Sequence, residues 1–171
     1  LILNAPMLKE DAITIQSNND LRKIFNISSK SLIFIYVGDF CKGRGIDHIL
    51  NVFSDKNINS DIVFLGGGLL KNKIFYFSKK FKNIHFHPPV IHDKVVSLIK
   101  SSDIGICFIE NASLSDYLCL PNKLFEYAFA GLEILGSDMP EISSFIKKNK
   151  IGKICKLNLQ DLKRKIKNYE K

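Results

Sequence analysis

Six times along this chain an apolar run is followed by a segment of helical spacing, and that alternation restricts the fold more than any other feature. Leu32–Val37, Ile62–Leu65 and Ile104–Ile109 are the strongest runs, and Ile84–Phe86, Leu132–Leu135 and Ile151–Cys155 are weaker ones. Leu32–Val37 is apolar at every position instead of at alternate ones, which marks a strand covered on both faces. The spacing between runs predicts helices over about 46–53, 69–80, 93–100, 121–130, 141–148 and 159–169. In the first of these, Ile46, Ile49, Leu50 and Phe53 share one face. Strand-then-helix units in this number predict an α/β fold: a doubly wound, mainly parallel sheet with helices on both faces. Loops that follow the strands then collect along one edge, where ligands of such sheets bind.

Ahead of this pattern, residues 1–31 read as a linker or entry segment. Leu1-Ile2-Leu3 is a strand or linker that enters a turn at Asn4-Ala5-Pro6, and Asp20–Phe25 reads as a short helix capped by Asn19 or Asp20. A length of 171 residues suits one domain with a full core. No apolar run approaches the roughly 18 residues of a membrane span. The start at Leu1, with no signal-peptide pattern after it, leads to the expectation of a piece whose upstream part is missing.

Four cysteines, at 41, 107, 119 and 155, form no CxxC couple, so reduced thiols and a cytoplasmic setting are expected. The net charge of +8 is localised: residues 147–171 hold ten Lys and Arg against two acids, and the remainder is balanced. That basic end, 157–171, fits an anionic membrane surface better than a nucleic acid, and fits a solvated helix face equally well. His85 and His87 share one face of a strand, but no third ligand accompanies them, so no metal site is expected.

Two stretches carry candidate chemistry. The loop Gly38-Asp39-Phe40-Cys41-Lys42-Gly43-Arg44-Gly45 places a small residue just after a buried strand and a cation before a helix. A ligand can approach the backbone at Gly38, and Arg44 can meet phosphate oxygens. The same loop also fits a plain turn with a solvated Arg. Pro121-Asn122-Lys123 is more specific, because Pro suits the first helical position. The N–H groups of Asn122, Lys123 and Leu124 would then face an anion, with the helix dipole behind them. Glu126, one turn on, suits a pair of ribose hydroxyls, or is an ordinary surface Glu near a helix start. Gly66-Gly67-Gly68 reads only as a flexible turn with no binding group beside it.

Leu120-Pro121-Asn122-Lys123-Leu124-Phe125-Glu126-Tyr127, Ala130-Gly131 and Ser137-Asp138-Met139-Pro140-Glu141-Ile142 together resemble the C-terminal, donor-binding domain of GT-B glycosyltransferases, specifically glycosyltransferase family 4. Tyr36-Val37-Gly38, Arg44-Gly45-Ile46, Asn83–Phe86 leading to Val90, and Ser102–Ile106 extend the resemblance over nearly the whole chain. It implies a Rossmann-like half of a GT-B enzyme. The implied activity is transfer of a sugar from a nucleotide diphosphate-sugar to a glycan or lipid-linked acceptor in polysaccharide, lipopolysaccharide or glycolipid biosynthesis. The anomeric configuration would be retained, with neither metal nor other cofactor.

By that resemblance Arg44 and Lys123 hold the diphosphate as catalytic cations, and Glu126 takes the ribose. Gly38, Asn122 and Leu124 line the donor, and Val90 gives backbone contacts to the base. Two positions depart from the family pattern: Asp39 replaces a cation, and Leu118 replaces the first of two Glu with seven residues between them. An N-terminal GT-B domain is the expected missing partner, without which transfer would be slow or absent. The alternatives are a degenerate nucleotide-binding or interaction domain and a nucleotide-sugar 2-epimerase.

Overall fold

The computed structural model describes residues 20–171. The expected strand or linker at Leu1–Leu3 and its turn lie outside the described residues. Six strands form a single sheet: β1 (Ile33–Asp39), β2 (Asp61–Gly67), β3 (Ile84–His87), β4 (Ile104–Cys107), β5 (Glu133–Ser137) and β6 (Gly152–Cys155). Every pairing is parallel, in the order β3-β2-β1-β4-β5-β6. The doubly wound α/β fold expected from the sequence is therefore present. The strand order reverses between β1 and β4, and at that point the loops after neighbouring strands turn apart and leave a crevice.

Helices α2 (Ile46–Phe53), α3 (Lys71–Lys80) and α8 (Leu159–Tyr169) cover one face of the sheet, where Ile49, Phe53, Ile74, Leu162 and Ile166 join Phe34, Tyr36 and Phe64. The other face carries α1 (Leu21–Phe25), α4 (His92–Ile99), α6 (Asn122–Ala130) and α7 (Pro140–Asn149) over Ile33, Ile35, Val63 and Ile134. Both faces of β1 are thus buried, as its unbroken apolar run requires. The short α1 is capped by Asp20, whose side chain accepts the Arg22 N–H. Arg22 in turn pairs at 2.7 Å with Asp103, which also accepts the Ile33 N–H.

Beside the crevice, β1 and β4 pair only through Phe34↔Ile104 and Ile35↔Gly105. Beyond that point the phenol of Tyr127, on α6, enters between them. It accepts the Val37 N–H at 2.9 Å and lies 3.1 Å from the Ile106 carbonyl and 3.3 Å from that of Ile35. The ring fits because residue 105 is glycine: a Cβ there would overlap it. One hydroxyl therefore satisfies backbone groups on both strands while holding them apart.

Several boundaries differ from expectation for identifiable reasons. The helix expected from 69 begins at Lys71, because Leu70 donates its N–H to the Phe40 carbonyl and so belongs to a turn. Pro121 is the N-cap and not the first helical residue, with extended backbone at ψ 149. β4 ends at Cys107, although Phe108 and Ile109 remain buried, and Ile109 donates its N–H to Ser137 Oγ. A four-residue helix, α5 (Leu114–Tyr117), stands in the connection to α6, where no helix was expected.

At the other end of the chain, α8 returns from the β6 edge to pack on α2. Its apolar stripe, Leu162 and Ile166, is fully used in the core. Glu170, just after it, accepts the N–H groups of Asn59 and Ser60 and the Ser60 hydroxyl with one oxygen. Among the described residues no helix is long and apolar enough to cross a membrane.

The Tyr127 arrangement gives a direct test. Tyr127→Phe leaves the buried Val37 N–H without its acceptor and should cost about 1–3 kcal/mol in chemical denaturation. Gly105→Ala should be destabilising as well, because the ring it would overlap is fixed from both sides.

Candidate functional site

At the reversal point a cavity of about 340 Å³ opens along the carboxyl edge of the sheet. Its floor is the end of β1 and β2, with Val37, Gly38, Leu65 and Gly66. One wall is the β3–α4 connection with Pro89 and Val90 and the first residue of α4, His92, and the other is the start of α6 with Asn122, Lys123 and Glu126. Of the residues singled out from sequence, Gly38, Val90, Asn122, Lys123 and Glu126 are therefore brought together. Gly66 and His92 were missed. Gly66 read as a bare turn, and only its pairing with Gly38 places it in the floor. Gly66 has φ +148, and any side chain would run into the Gly38 carbonyl, so the two strands can lie that close only with glycine there.

Lys123 reaches back over the sheet. Its Nζ stands 3.8 Å from the centroid of the Tyr36 ring and borders Gly38. Burial lowers its pKa to about 8, a shift that the Arg44 charge nearby reinforces. The ammonium is thus held in a site that disfavours its charge, where an arriving anion would restore the balance. On the same wall, one turn further along α6, Glu126 is only 6% exposed. Burial raises its pKa, against the opposing pull of His92 and Lys123. His92 Nδ1 lies 3.6 Å from one Glu126 oxygen, too far for a hydrogen bond but close enough to be felt. The cavity therefore has a cationic end by Gly38 and a carboxylate end beside an apolar wall.

Arg44 is not free to face the cavity. It forms an ion pair at 2.9 Å with Asp116 of α5, itself bonded to the Ser113 hydroxyl. Glu110, from the same connection, accepts the Gly45 N–H at 3.2 Å. Two carboxylates thus engage the Arg44 side chain and the Gly45 N–H. Asp39 is exposed and ends β1 in register with Gly67. Leu118, the C-cap of α5, is 52% exposed and brings no acid.

Leu124 needs a correction. Its N–H donates to the Pro121 carbonyl at 3.0 Å and its side chain is fully buried, so it has nothing to offer a ligand. With Pro121 as N-cap, the first-turn N–H groups left for an anion are those of Asn122 and Lys123. Among the described residues no three His, Cys, Asp or Glu side chains gather as metal ligands. His85 instead bonds Asp61 at 2.7 Å and stacks near Phe25.

The partly buried Lys123 ammonium carries a stability signature. Between pH about 8 and the ordinary lysine range, the folded chain binds fewer protons at Lys123 than the unfolded chain, so this contribution to stability rises with pH. Below pH 8 the penalty is present in full. Lys123→Met should therefore raise the melting temperature at pH 7, by roughly 2–4 °C per kcal/mol regained. The gain should shrink above pH 9.

The sequence matches the family of glycosyl transferases group 1 over residues 17–171. Among curated proteins no sequence match was found. Among solved structures, the chain is similar to WaaG, a glycosyltransferase involved in lipopolysaccharide biosynthesis, with 16% identity and TM-score 0.64 over 95% of this chain and 46% of that one. HepE of Anabaena in complex with UDP gives 10% identity and TM-score 0.71, over 92% and 44%. Sucrose-phosphate synthase from Thermosynechococcus elongatus gives 12% and 0.65, over 92% and 40%. The chain spans less than half the length of each, and at these identities the likeness is one of fold. With the family match running from residue 17 to the end, the chain belongs to the glycosyl transferases group 1 family.

Proposed function

We propose that this chain is the donor-binding half of a glycosyltransferase acting on a nucleoside diphosphate-sugar. The observation that carries this is the polarity of the cavity, with Lys123 and Gly38 at one end and the buried carboxyl of Glu126, facing His92, at the other. A diphosphate suits the first end and ribose hydroxyls the second, and the apolar surface of Val90, Pro89 and Val95 suits a base. UDP is the first nucleotide to try, since HepE has been seen with UDP and with UDP-glucose.

In the proposed reaction the bond between the sugar's anomeric carbon and the diphosphate oxygen breaks, and a bond to the acceptor oxygen forms on the same face. The acceptor proton passes to the departing diphosphate. Catalysis then rests on stabilising the charge that grows on that leaving group. Lys123 and the N–H groups of Asn122 and Lys123 are placed for this, and Arg44 joins them once it parts from Asp116. No metal or other cofactor is required by this scheme. The acceptor, a glycan or lipid-linked hydroxyl, would be presented by an N-terminal domain across the cleft, so this half alone would bind donor and transfer slowly or not at all. A lipid-linked acceptor would bring the protein to the inner, cytoplasmic face of a membrane with anionic lipids.

Leu118 and Asp39 favour a second reading, in which nucleotide is bound but the sugar is not turned over. Hydrolysis or transfer of a UDP-sugar by a chain joined to its partner domain separates the two.

Calorimetric titration with UDP and GDP tests the site itself. Glu126→Ala should weaken binding by about 1–3 kcal/mol, the range of hydrogen bonds to a charged group. Arg44→Ala should weaken nucleoside diphosphate more than nucleoside, and equal losses would remove Arg44 from the phosphate. No binding by the wild type at millimolar nucleotide would overturn the whole reading. Asp116→Asn releases Arg44 and should tighten UDP binding by about two- to fivefold, the scale of a partly exposed ion pair.

A further inference from the structure

Helix α3 presents a surface that nucleotide binding does not use. Its inward residues Leu70, Ile74, Phe77 and Phe81 pack on the core. Its outward side keeps Tyr76, 62% exposed, and Phe75, 47% exposed, in water, and Leu69, in the turn just ahead of the helix, is 90% exposed. Between Leu69 and Lys82 there are five lysines and no acid. Lys79 stands 5.1 Å from the Phe75 ring, Lys80 5.5 Å from Phe81 and Lys71 5.7 Å from Phe86. Among the described residues, only Lys73 of these lysines forms an ion pair, with Asp47 on α2.

We propose that this side of α3 is the surface by which the protein lies on an anionic lipid bilayer. Aromatic rings and Leu69 enter the headgroup boundary, while lysine stems lie along the rings and their ammonium groups meet lipid phosphates. The absence of any acid over the segment is the complementarity that an anionic sheet of lipid requires and a mixed protein surface does not. The basic α8, which shares this face of the sheet, adds long-range attraction only. Its Leu162 and Ile166 are committed to the core, and Lys163 and Arg164 are paired with Asp55 and Asp161. The membrane contact therefore depends on α3, with α8 as an auxiliary charge. Leu69 follows directly on Gly66-Gly67-Gly68, so the bilayer would lie beside the crevice, where a lipid-linked acceptor is needed.

This rests on the membrane part of the function proposed above and not on the nucleotide, so the two fail separately. Vesicle flotation is measured with phosphatidylcholine alone and with phosphatidylglycerol added, alongside UDP titration of each protein. The wild type should float only with the anionic vesicles, and less so in high salt. The variant Leu69→Ser, Phe75→Ser, Tyr76→Ser and the variant Lys71→Gln, Lys79→Gln, Lys80→Gln should each lose about tenfold or more in partitioning. Both should retain UDP affinity and melting temperature. Lys167→Gln with Lys171→Gln should lose only a small part. Flotation that falls with the α8 variant and not with the α3 variants overturns the assignment to α3 and leaves a membrane contact elsewhere. No flotation of the wild type, or equal flotation on neutral vesicles, overturns it altogether. A dimer in solution that the α3 apolar variant dissociates, with flotation unchanged, would assign the surface to a second copy of the chain instead.

Discussion

The Tyr127 hydroxyl is the contact that ties the two central strands to the helix beside the crevice. It takes the Val37 N–H that a strand neighbour would otherwise use and lies against the Ile106 carbonyl opposite, so a side chain bridges β1 and β4 where their ladder stops. Since Glu126 precedes it and Lys123 lies one turn earlier, the residue that anchors α6 to the sheet also sets where the polar groups of α6 stand in the cavity wall. The ends of β1 and β2 and the β3–α4 connection supply the rest of the lining.

The electrostatics of the site are those of a place held ready. Lys123 is desolvated, Arg44 is engaged by Asp116, and the Gly45 N–H is engaged by Glu110. Arg44 and the Gly45 N–H are thus paired with carboxylates of the β4–α6 connection, and Lys123 is held where desolvation disfavours its charge. Anion binding would then be an exchange of partners and not a simple addition. The desolvation of Lys123 is the kind of local cost that binding sites retain because the ligand relieves it.

Much of this was legible in the sequence because the signals are local. A continuous apolar run such as Leu32–Val37 and a one-sided stripe such as Ile46, Ile49, Leu50 and Phe53 need no distant partner to be read. The same holds for the start of α6, which Pro121 and the residues after it gave to within one residue. What was not legible depends on chain-distant pairing. Asp116 meets Arg44 across 72 residues and Glu110 meets Gly45 across 65, and neither acid has any local signature. Gly66 matters only through its register with Gly38. The Leu124 N–H was lost to a capping carbonyl, a matter of one residue in where the helix begins. The lysines of the C-terminal end were countable from sequence, but the burial of Leu162 and Ile166 beneath them was not.

The return of α8 has a consequence for how the protein comes into being. Tyr169 packs against Phe34 of the first strand at 5.7 Å, and Glu170 ties down the backbone just ahead of the second. This face of the sheet is thus closed by residues made more than a hundred positions later, as the Asn59–Glu170 separation of 111 shows. Until they emerge, Phe34 and its neighbours stay partly uncovered, so the packing of this face has to wait for them.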